Sequence, residues 1–119
     1  ADIGADAVVV SNHGGRQLDG APSTIGALPE VAAALQGRCE VLLDGGIMCG
    51  QDLLQALARG ASGCLIGKAF RYCLAAAGQA GVARGLEILR SELAVSMALS
   101  GVTDVRKVDA SVLWRAGGA

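Results

Sequence analysis

The sequence predicts an α/β fold in which parallel strands alternate with helices, and three observations support this prediction. Short apolar runs recur along the first part of the chain, and each stops at one or two glycines. Between them lie segments with apolar residues at three- and four-residue spacing, the period of an amphipathic helix. The stretch from Gly4 to Val10 also resembles the stretch from Gly60 to Ile66, 56 residues later. Such alternation is typical of a parallel sheet covered by helices.

Three strands are expected, at residues 7–12, 40–44 and 64–66. The uniformly apolar run from Ala7 to Val10 predicts that the first strand is buried on both faces. Strand–helix units of about 28 residues are close to the length of a βαβ element, and a glycine at each strand exit favours part of a (β/α)8 barrel. The pattern alone leaves an open, doubly wound sheet as the alternative.

Two helices are predicted between these strands. Residues 22–24 have the chemistry of a helix start, but Pro29 suits the first turn of a helix, so the helix proper is expected to begin near Leu28 and to end near Gly37. Residues 51–59 predict a second helix, because leucines recur on one face and Gly60 follows.

Beyond Phe70 the pattern changes to longer helical segments. We expect a short helix over residues 71–77, an interruption over residues 78–81 and a long helix from residue 82 to about residue 100. One face of the long helix is predicted to be solvated: Arg84, Glu87, Arg90, Ser91 and Glu92. Other side chains are expected to pack rather than to contact a ligand: Met48, Met97, Phe70, Tyr72 and Trp114.

Composition and charge exclude several classes of function. The chain has 119 residues and a formal net charge of −1, without a basic cluster, so it forms at most one ordinary domain and a nucleic-acid partner has no support. No apolar run approaches the ~20 residues that span a bilayer, so no transmembrane segment is expected. Four cysteines without a CxxC pair and a single histidine do not make a Cys/His zinc site, so no metal is predicted. Free cysteines indicate a reduced, cytoplasmic chain.

The two ends of the chain also lead to expectations. Residues 1–4 have the pattern of the last turn of a helix and contain no initiator methionine, which predicts a fragment of a longer protein. The glycines at positions 117 and 118 predict a disordered tail over residues 115–119.

His13, the only histidine, and Arg16 follow the first predicted strand. In α/β sheets and barrels, chemistry takes place at the carboxyl ends of the strands. A histidine there can act as a base near neutral pH, and an arginine can hold a carboxylate through two parallel hydrogen bonds. The simpler interpretation is that His13 only caps the loop and that Arg16 pairs with Asp19.

Glycines at the other two strand ends suit a phosphate group. Asp44 is followed by Gly45 and Gly46, whose backbone N–H groups could line a phosphate. Gly67 and Lys68, at the next strand end, add room for close approach and a cation. Asp44 is acidic, so it suits the hydroxyl groups of a sugar or ribityl chain better than a phosphate. The alternative is that these glycines only permit tight turns.

Together these motifs resemble those of the FMN-dependent 2-hydroxy-acid dehydrogenases and oxidases, a family that includes glycolate oxidase, flavocytochrome b2 and bacterial L-lactate dehydrogenase. The resemblance rests on Ser11-Asn-His-Gly-Gly-Arg-Gln-Leu-Asp19, on Asp44-Gly-Gly-Ile47 and on Gly67. The stretches from Leu74 to Val82 and from Met97 to Gly101 extend it over nearly the whole chain. The Gly-Gly form of the first motif is most similar to the bacterial L-lactate dehydrogenase branch.

The resemblance implies that residues 1–119 are the C-terminal portion, about strands six to eight, of a single FMN-binding (β/α)8 barrel domain. It implies that the parent protein oxidises an L-2-hydroxy acid, with L-lactate as the expected substrate, to the 2-keto acid and passes two electrons to FMN. His13 matches the catalytic base of the family, and Arg16 matches its substrate-carboxylate arginine. The positions that match contacts to FMN are Asp44, Gly45, Gly46, Gly67 and Lys68.

The chain departs from the family pattern at two positions. The family usually has arginine where this chain has Met48 and Lys68, and both arginines serve FMN, mainly its phosphate. Lys68 keeps a positive charge but cannot donate the two parallel hydrogen bonds of a guanidinium group, and Met48 carries no charge. A non-catalytic partial barrel, acting as a degenerate phosphate-binding or assembly module, is therefore the alternative function. Because a partial barrel leaves strand edges open, a homo-oligomer is expected. Peripheral attachment to the inner membrane is left open.

Overall fold

The computed structural model describes residues 2–114, in which strands and helices alternate. The principal elements are β1 (Ala7–Ser11), α1 (Thr24–Leu35), β2 (Glu40–Asp44), α2 (Gly50–Ala58), β3 (Gly63–Leu65) and α3 (Lys68–Leu99). Short 3₁₀ helices lie at His13–Gly15, Val105–Lys107 and Ala110–Val112. The predicted α/β class with parallel strands is confirmed. The tail predicted over residues 115–119 lies outside the described residues.

The strands pair in parallel in the order β1-β2-β3. Ser11 at the end of β1 is level with Asp44 at the end of β2, which in turn is level with Leu65 at the end of β3. The carboxyl ends of the strands therefore meet at one edge of the sheet. The bounds predicted for β2 are confirmed, whereas β1 and β3 each end one residue earlier than predicted.

Helix α1 begins at Thr24, earlier than the predicted start near Leu28. Ser23 has extended backbone, and its carbonyl accepts hydrogen bonds from Gly26 and Ala27, both at 3.1 Å, which form the first turn. Pro29 then lies inside the helix. Proline there forgoes one backbone hydrogen bond, and the turn formed at Ser23 together with burial of Leu28 outweighs that loss.

A hydrophobic cluster fills the space between the helices and one face of the sheet. Its buried members are Val10, Leu28, Val41, Leu43, Ile47, Ala56 and Ala61. The opposite face is left open by the described residues: Val9 is 48% exposed and Leu65 is 43% exposed. The prediction that β1 is buried on both faces is therefore wrong for this chain, because its helices cover only the face that contains Val10.

Helix α3 bends where helical geometry is lost at Ala77 (φ −153°, ψ 28°) and Gly78 (φ 55°, ψ −138°). The predicted interruption is thus present, but it is shorter than residues 78–81. The helix begins at Lys68, separated from the end of β3 by two residues, and not at residue 71 as predicted. Most of the side chains expected to pack are instead exposed, since no described element covers their faces: Met48, Phe70, Tyr72 and Trp114.

The charged face predicted for α3 is exposed, as expected, at all five of its predicted residues. Arg84 and Glu87 form an exposed ion pair at 3.2 Å, as such a face predicts. Glu92 also has a structural role, because its Oε2 accepts a hydrogen bond at 2.8 Å from the N–H of Gly50, the first residue of α2. A Cβ at Gly50 would collide with the backbone of Leu93, so glycine is required for α2 to approach α3 this closely. Helix α3 therefore holds α2 against β3.

Candidate active site

The carboxyl ends of β1, β2 and β3 line a cleft of about 550 Å³, a volume typical of small-molecule sites. Every residue predicted for catalysis, substrate binding or cofactor binding contributes to its wall: His13, Arg16, Asp44, Gly45, Gly46, Gly67 and Lys68. The fold thus brings together residues from three strand ends, at the edge where α/β proteins bind their ligands.

Ser11 joins the ends of the first two strands. Its hydroxyl donates a hydrogen bond to Asp44 Oδ2 at 2.6 Å, and its Oγ accepts one from the backbone N–H of His13 at 3.2 Å. Because Ser11 and Asp44 are level in the sheet, this pair of bonds ties the loop after β1 to the end of β2. The position of His13 therefore depends on both strands.

Asn12 folds the loop that contains His13. Its Oδ1 accepts a hydrogen bond from the N–H of Gly14 at 3.0 Å, its Nδ2 donates to the carbonyl of Pro22 at 3.2 Å, and its own carbonyl accepts from the N–H of Gly15 at 2.9 Å. His13 has a φ of 55°, a left-handed conformation that is uncommon outside glycine. Such strain concentrates at functional sites. The bonded loop backbone therefore sets the direction in which the His13 side chain leaves the strand end.

Arg16 is exposed at the mouth of this loop. Within residues 2–114 its guanidinium forms no ion pair with a carboxylate. Asp19, the partner considered in the simpler interpretation, instead accepts a hydrogen bond from the N–H of Gly20 at 3.1 Å. An exposed guanidinium in a cleft is suited to a carboxylate brought by a small molecule.

The turn after β2 is fixed between the loop of β1 and the start of α1. Gly45 has a φ of 106° and Gly46 a φ of 83°, in the region that favours glycine. The buried Thr24 donates a hydrogen bond from Oγ1 to the carbonyl of Gly45 at 3.2 Å. A Cβ at Gly45 would lie 3.2 Å from Asn12 Oδ1, whereas a Cβ at Gly46 would meet no atom within 4 Å. The turn is therefore packed on one side and open on the side of Gly46.

Gly67 opens the third strand end to a ligand. Its φ is −95°, and a Cβ built there would meet no described atom within 4 Å, so neither the backbone nor the packing of the chain requires glycine. A glycine of this kind leaves room for a ligand to approach the backbone closely. Lys68 follows as the first residue of α3 and lines the cleft. Open backbone, a cation and a helix start together suit a phosphate group.

Several residues of the cleft were not predicted as site residues, among them Asn12, Thr24, Met48 and Arg71. The backbone N–H of Met48 donates to Asp52 Oδ2 at 2.9 Å, which fixes the backbone at this neutral residue of the cleft wall. Arg71 lies three residues after Lys68 in α3. A three-residue spacing of two cations in a helix indicates a shared face. The helix predicted from the sequence begins at residue 71 and so does not include Lys68.

The charges of the cleft favour an anionic ligand. Arg16, Lys68 and Arg71 are cationic, whereas Asp44 is the only acidic residue among the residues of the described chain that line it. A cleft lined mainly by one sign of charge raises the local concentration of the opposite ion. Groups such as a phosphate or a carboxylate therefore fit this site better than a cation does.

Two other kinds of site are not found in the described part of the chain. Residues 2–114 contain no group of three or more His, Cys, Asp or Glu side chains that could hold a metal ion. None of the helices described is long and apolar enough to cross a membrane.

The cysteines at positions 39, 49, 64 and 73 are free thiols.

Comparison with known proteins gives consistent matches. Residues 1–115 match the family model described as FMN-dependent dehydrogenase. The chain is 54% identical over 113 residues to an L-lactate dehydrogenase of Caulobacter vibrioides, covering 95% of this chain and 30% of that protein. It is 53% identical over 112 residues to an L-lactate oxidase of a Nostoc species, covering 94% of this chain and 31% of that protein. A solved mandelate oxidase mutant with the monooxide FMN adduct superposes with a TM-score of 0.85 at 54% identity, covering 87% of this chain and 33% of that one.

These matches confirm the resemblance found in the motifs, and with it FMN as the cofactor. The cleft fits that cofactor, since it offers open glycine backbone at Gly46 and Gly67, a carboxylate for hydroxyl groups and a cation for a phosphate. The chain spans about a third of the length of the curated relatives it matches. Because the family model covers nearly every residue, the chain belongs to the FMN-dependent dehydrogenase family.

Proposed function

We propose that this chain is the C-terminal portion of a (β/α)8 barrel enzyme that uses FMN to oxidise an L-2-hydroxy acid, L-lactate, to the 2-keto acid. The observation that carries the proposal is the common cleft, whose wall contains His13, Arg16 and all the residues expected to contact FMN. The relatives named L-lactate dehydrogenase and L-lactate oxidase, matched over nearly the whole chain, support the choice of substrate.

Two features of the sheet support a barrel in which residues 1–119 supply about strands six to eight of one domain. The strands lie side by side in chain order, as they do in a barrel. The face that the helices leave open contains Val9 and Leu65, which are 48% and 43% exposed. Parallel sheets are covered on both faces, and in a barrel this face turns inward and packs against the other strands.

His13 and Arg16 divide the work on the substrate in this proposal. The guanidinium of Arg16 holds the substrate carboxylate through two parallel hydrogen bonds and so fixes the 2-hydroxy carbon near the loop after β1. His13, directed by the bonded loop backbone, accepts the proton that the substrate gives up as it is oxidised. Both residues come from one rigid loop, so their spacing is set before the substrate binds.

The remaining wall of the cleft offers the groups that would hold FMN. FMN, when bound, would accept the two electrons and the second hydrogen that the substrate loses. Asp44, held by Ser11, would accept hydrogen bonds from the ribityl hydroxyl groups, next to the turn of Gly45 and Gly46. Gly67 and Lys68 would hold the phosphate, because the open backbone of Gly67 permits close approach.

The substitution His13→Ala in the full-length protein tests this proposal. We expect the Kd for FMN to stay within about twofold of the wild-type value, because a phosphate-bearing cofactor is held mainly by charge at its other end. The rate of flavin reduction by L-lactate in a single turnover should fall by about 10²- to 10⁴-fold, the usual contribution of a positioned base. Asp19→Asn, an exposed change in the same loop region, is the matched control and should leave the rate unchanged.

Two results would contradict the proposal in different ways. Unchanged single-turnover reduction in His13→Ala would remove His13 from the role of base. A wild-type protein that binds FMN but is not reduced by L-lactate would exclude L-lactate as the substrate, and a panel of L-2-hydroxy acids with other side chains would then identify the substrate.

A non-catalytic partial barrel is the second candidate, and Met48 and Lys68 favour it. One charge-assisted contact contributes about 1.5–3 kcal/mol, so losing such contacts weakens FMN binding by tens to hundreds of fold. The absorption spectrum of the purified protein separates the two candidates. Flavin bands argue against the second candidate, whereas a colourless protein that takes up no added FMN supports it.

We also propose a homo-oligomer in the reduced cytoplasm. Within the described residues β1 and β3 each pair on one side only, and unpaired strand edges associate with other chains unless they are covered. A strictly monomeric species in sedimentation at micromolar concentration would contradict the oligomer. The free thiols support the reduced compartment.

A further inference from the structure

Arg71 is a cation of the cleft to which neither the motifs nor the comparisons give a role. It lies in the first turn of α3, three residues after Lys68. Residues three apart in a helix share a face, and both side chains line the cleft. Lys68 and Arg71 therefore present two positive charges to the same ligand space, next to the open backbone of Gly67.

Within the described chain these two charges are unfavourable for the helix. The first turn of α3 contains no acidic residue, and its N-terminus has no side-chain cap. Cations near a helix N-terminus oppose the helix dipole, and like charges on one face repel each other. Neither Lys68 nor Arg71 has an ion-pair partner among residues 2–114. An anion bound between them would relieve both effects.

The rest of the cleft lining explains why a second cation is useful. Met48 is part of it, is 47% exposed and carries no charge. The one carboxylate of the cleft, Asp44, is bonded to Ser11 at the end of β2. A dianionic phosphate at Gly67 would thus meet a single lysine unless Arg71 also reaches it. A lysine is a point charge, whereas a guanidinium can donate two parallel hydrogen bonds to phosphate oxygens.

We propose that Arg71 binds the phosphate of FMN together with Lys68 and supplies the positive charge that Met48 does not. This inference rests on the proposed function, in which the cleft holds FMN with its phosphate at Gly67. It predicts that Arg71 matters for ligands that contain the phosphate and not for the flavin ring.

The test compares FMN with riboflavin, which has the same ring and ribityl chain without the phosphate. The Kd of each for the apo form of the full-length protein is measured from quenching of flavin fluorescence, in wild type, Arg71→Ala, Arg71→Lys and Lys68→Ala. Arg90→Ala is the control, because Arg90 is an exposed arginine of the same helix outside the cleft. Thermal melting of each variant checks that the fold is retained.

We expect Arg71→Ala to weaken FMN binding by about tenfold while riboflavin binding stays within about twofold, as the loss of a charge-assisted phosphate contact requires. Arg71→Lys should recover part of the loss, and the dependence of the FMN Kd on salt should be shallower in Arg71→Ala than in wild type. Arg90→Ala should change neither affinity.

Four outcomes would overturn the inference. Arg71→Ala with wild-type FMN affinity would show that Arg71 is only solvated. Equal weakening of FMN and riboflavin would indicate a structural effect and not a phosphate contact. Loss of FMN affinity in Lys68→Ala alone would confine the phosphate to Lys68 and leave the proposed function intact. A wild-type protein that binds neither ligand would instead refute the proposed function, and this inference with it.

Discussion

The two ends of the cleft are held in place in different ways. At the histidine end, Ser11 bonds to both Asp44 and His13, and Asn12 bonds to the loop backbone and to Pro22. At the phosphate end, Gly67 provides open backbone, and the exposed cations Lys68 and Arg71 have no ion-pair partner among the described residues. Directional hydrogen bonds fix the residues at the histidine end, whereas the phosphate end offers positive charge and room for a ligand.

This difference explains where the chain departs from the pattern of its family. The motif around His13 and Arg16 is retained, whereas the two exchanges, Met48 and Lys68, affect residues expected to serve the phosphate. A base and a carboxylate clamp must hold the reacting atoms within a fraction of an ångström. A phosphate attracts any nearby cation, so charge can be moved between neighbouring positions. The proposed roles therefore require preserved geometry at one end, whereas at the other they allow charge to move from one residue to its neighbour.

Among substitutions that test the comparison of the two ends, the largest effect on ligand affinity is expected from exchanging lysine and arginine. Arg16→Lys keeps the charge but loses the guanidinium group, which can donate two parallel hydrogen bonds to a carboxylate. The Kd for L-lactate should therefore rise by about 10- to 100-fold. Lys68→Arg makes the reverse exchange and should leave FMN affinity unchanged or increase it, because charge is what that end requires. Titration of each variant with substrate and with FMN measures both quantities. A tolerated Arg16→Lys would mean that charge alone is enough at the histidine end as well.

A smaller effect should follow from removing one hydroxyl beneath the histidine loop. Ser11→Ala deletes the donor to Asp44 and the acceptor for the His13 N–H. We expect single-turnover reduction to slow by about tenfold, the equivalent of one hydrogen bond of about 1.4 kcal/mol, and FMN affinity to fall by less than about threefold. Ser11→Thr retains the hydroxyl and serves as the matched control. If Ser11→Thr slowed reduction as much as Ser11→Ala, the hydrogen bonds would not be the cause.

The smallest effect concerns a thiol on the face of β3 turned away from the cleft. Burial raises the pKa of Cys64 to about 11, so at pH 8 only on the order of 10⁻³ of this thiol is the reactive thiolate. Alkylation by iodoacetamide, followed by mass spectrometry, should therefore be slow at pH 8 and should accelerate as the pH approaches 11. Saturation with FMN should not alter it. Strong protection of Cys64 by FMN would place the ligand on the wrong face of the sheet.

Sequence reasoning succeeded where local chemistry decides the outcome. Apolar runs and the glycines that follow them are local signals. They made it possible to predict the strands and their parallel arrangement. They also predicted that His13, Asp44 and Lys68 lie at one edge of the sheet. The bounds of β2 were predicted to the residue. The roles of these residues remain predictions, since their positions alone do not establish chemistry.

Errors arose where long-range packing outweighs local preference. Glu92 is exposed as predicted, but its hydrogen bond with the N–H of Gly50 was not predicted, because it depends on the approach of α2 to α3. The pairing of Arg71 with Lys68 was not predicted, because the predicted helix begins at residue 71 whereas α3 begins at Lys68. The expected burial of Val9 failed because it depends on a layer that the described helices do not provide.

The central claim is that the two ends of the cleft have separate tasks, and one paired measurement tests it directly. FMN affinity and the limiting rate of flavin reduction by L-lactate are measured in both His13→Ala and Lys68→Ala, the latter saturated with FMN. We expect His13→Ala to lose about 10²- to 10⁴-fold in rate with FMN affinity nearly unchanged. Lys68→Ala should lose about tenfold in FMN affinity with the rate nearly unchanged. If each variant lowered both quantities in parallel, the cleft would act as a single unit and the division of tasks would be contradicted.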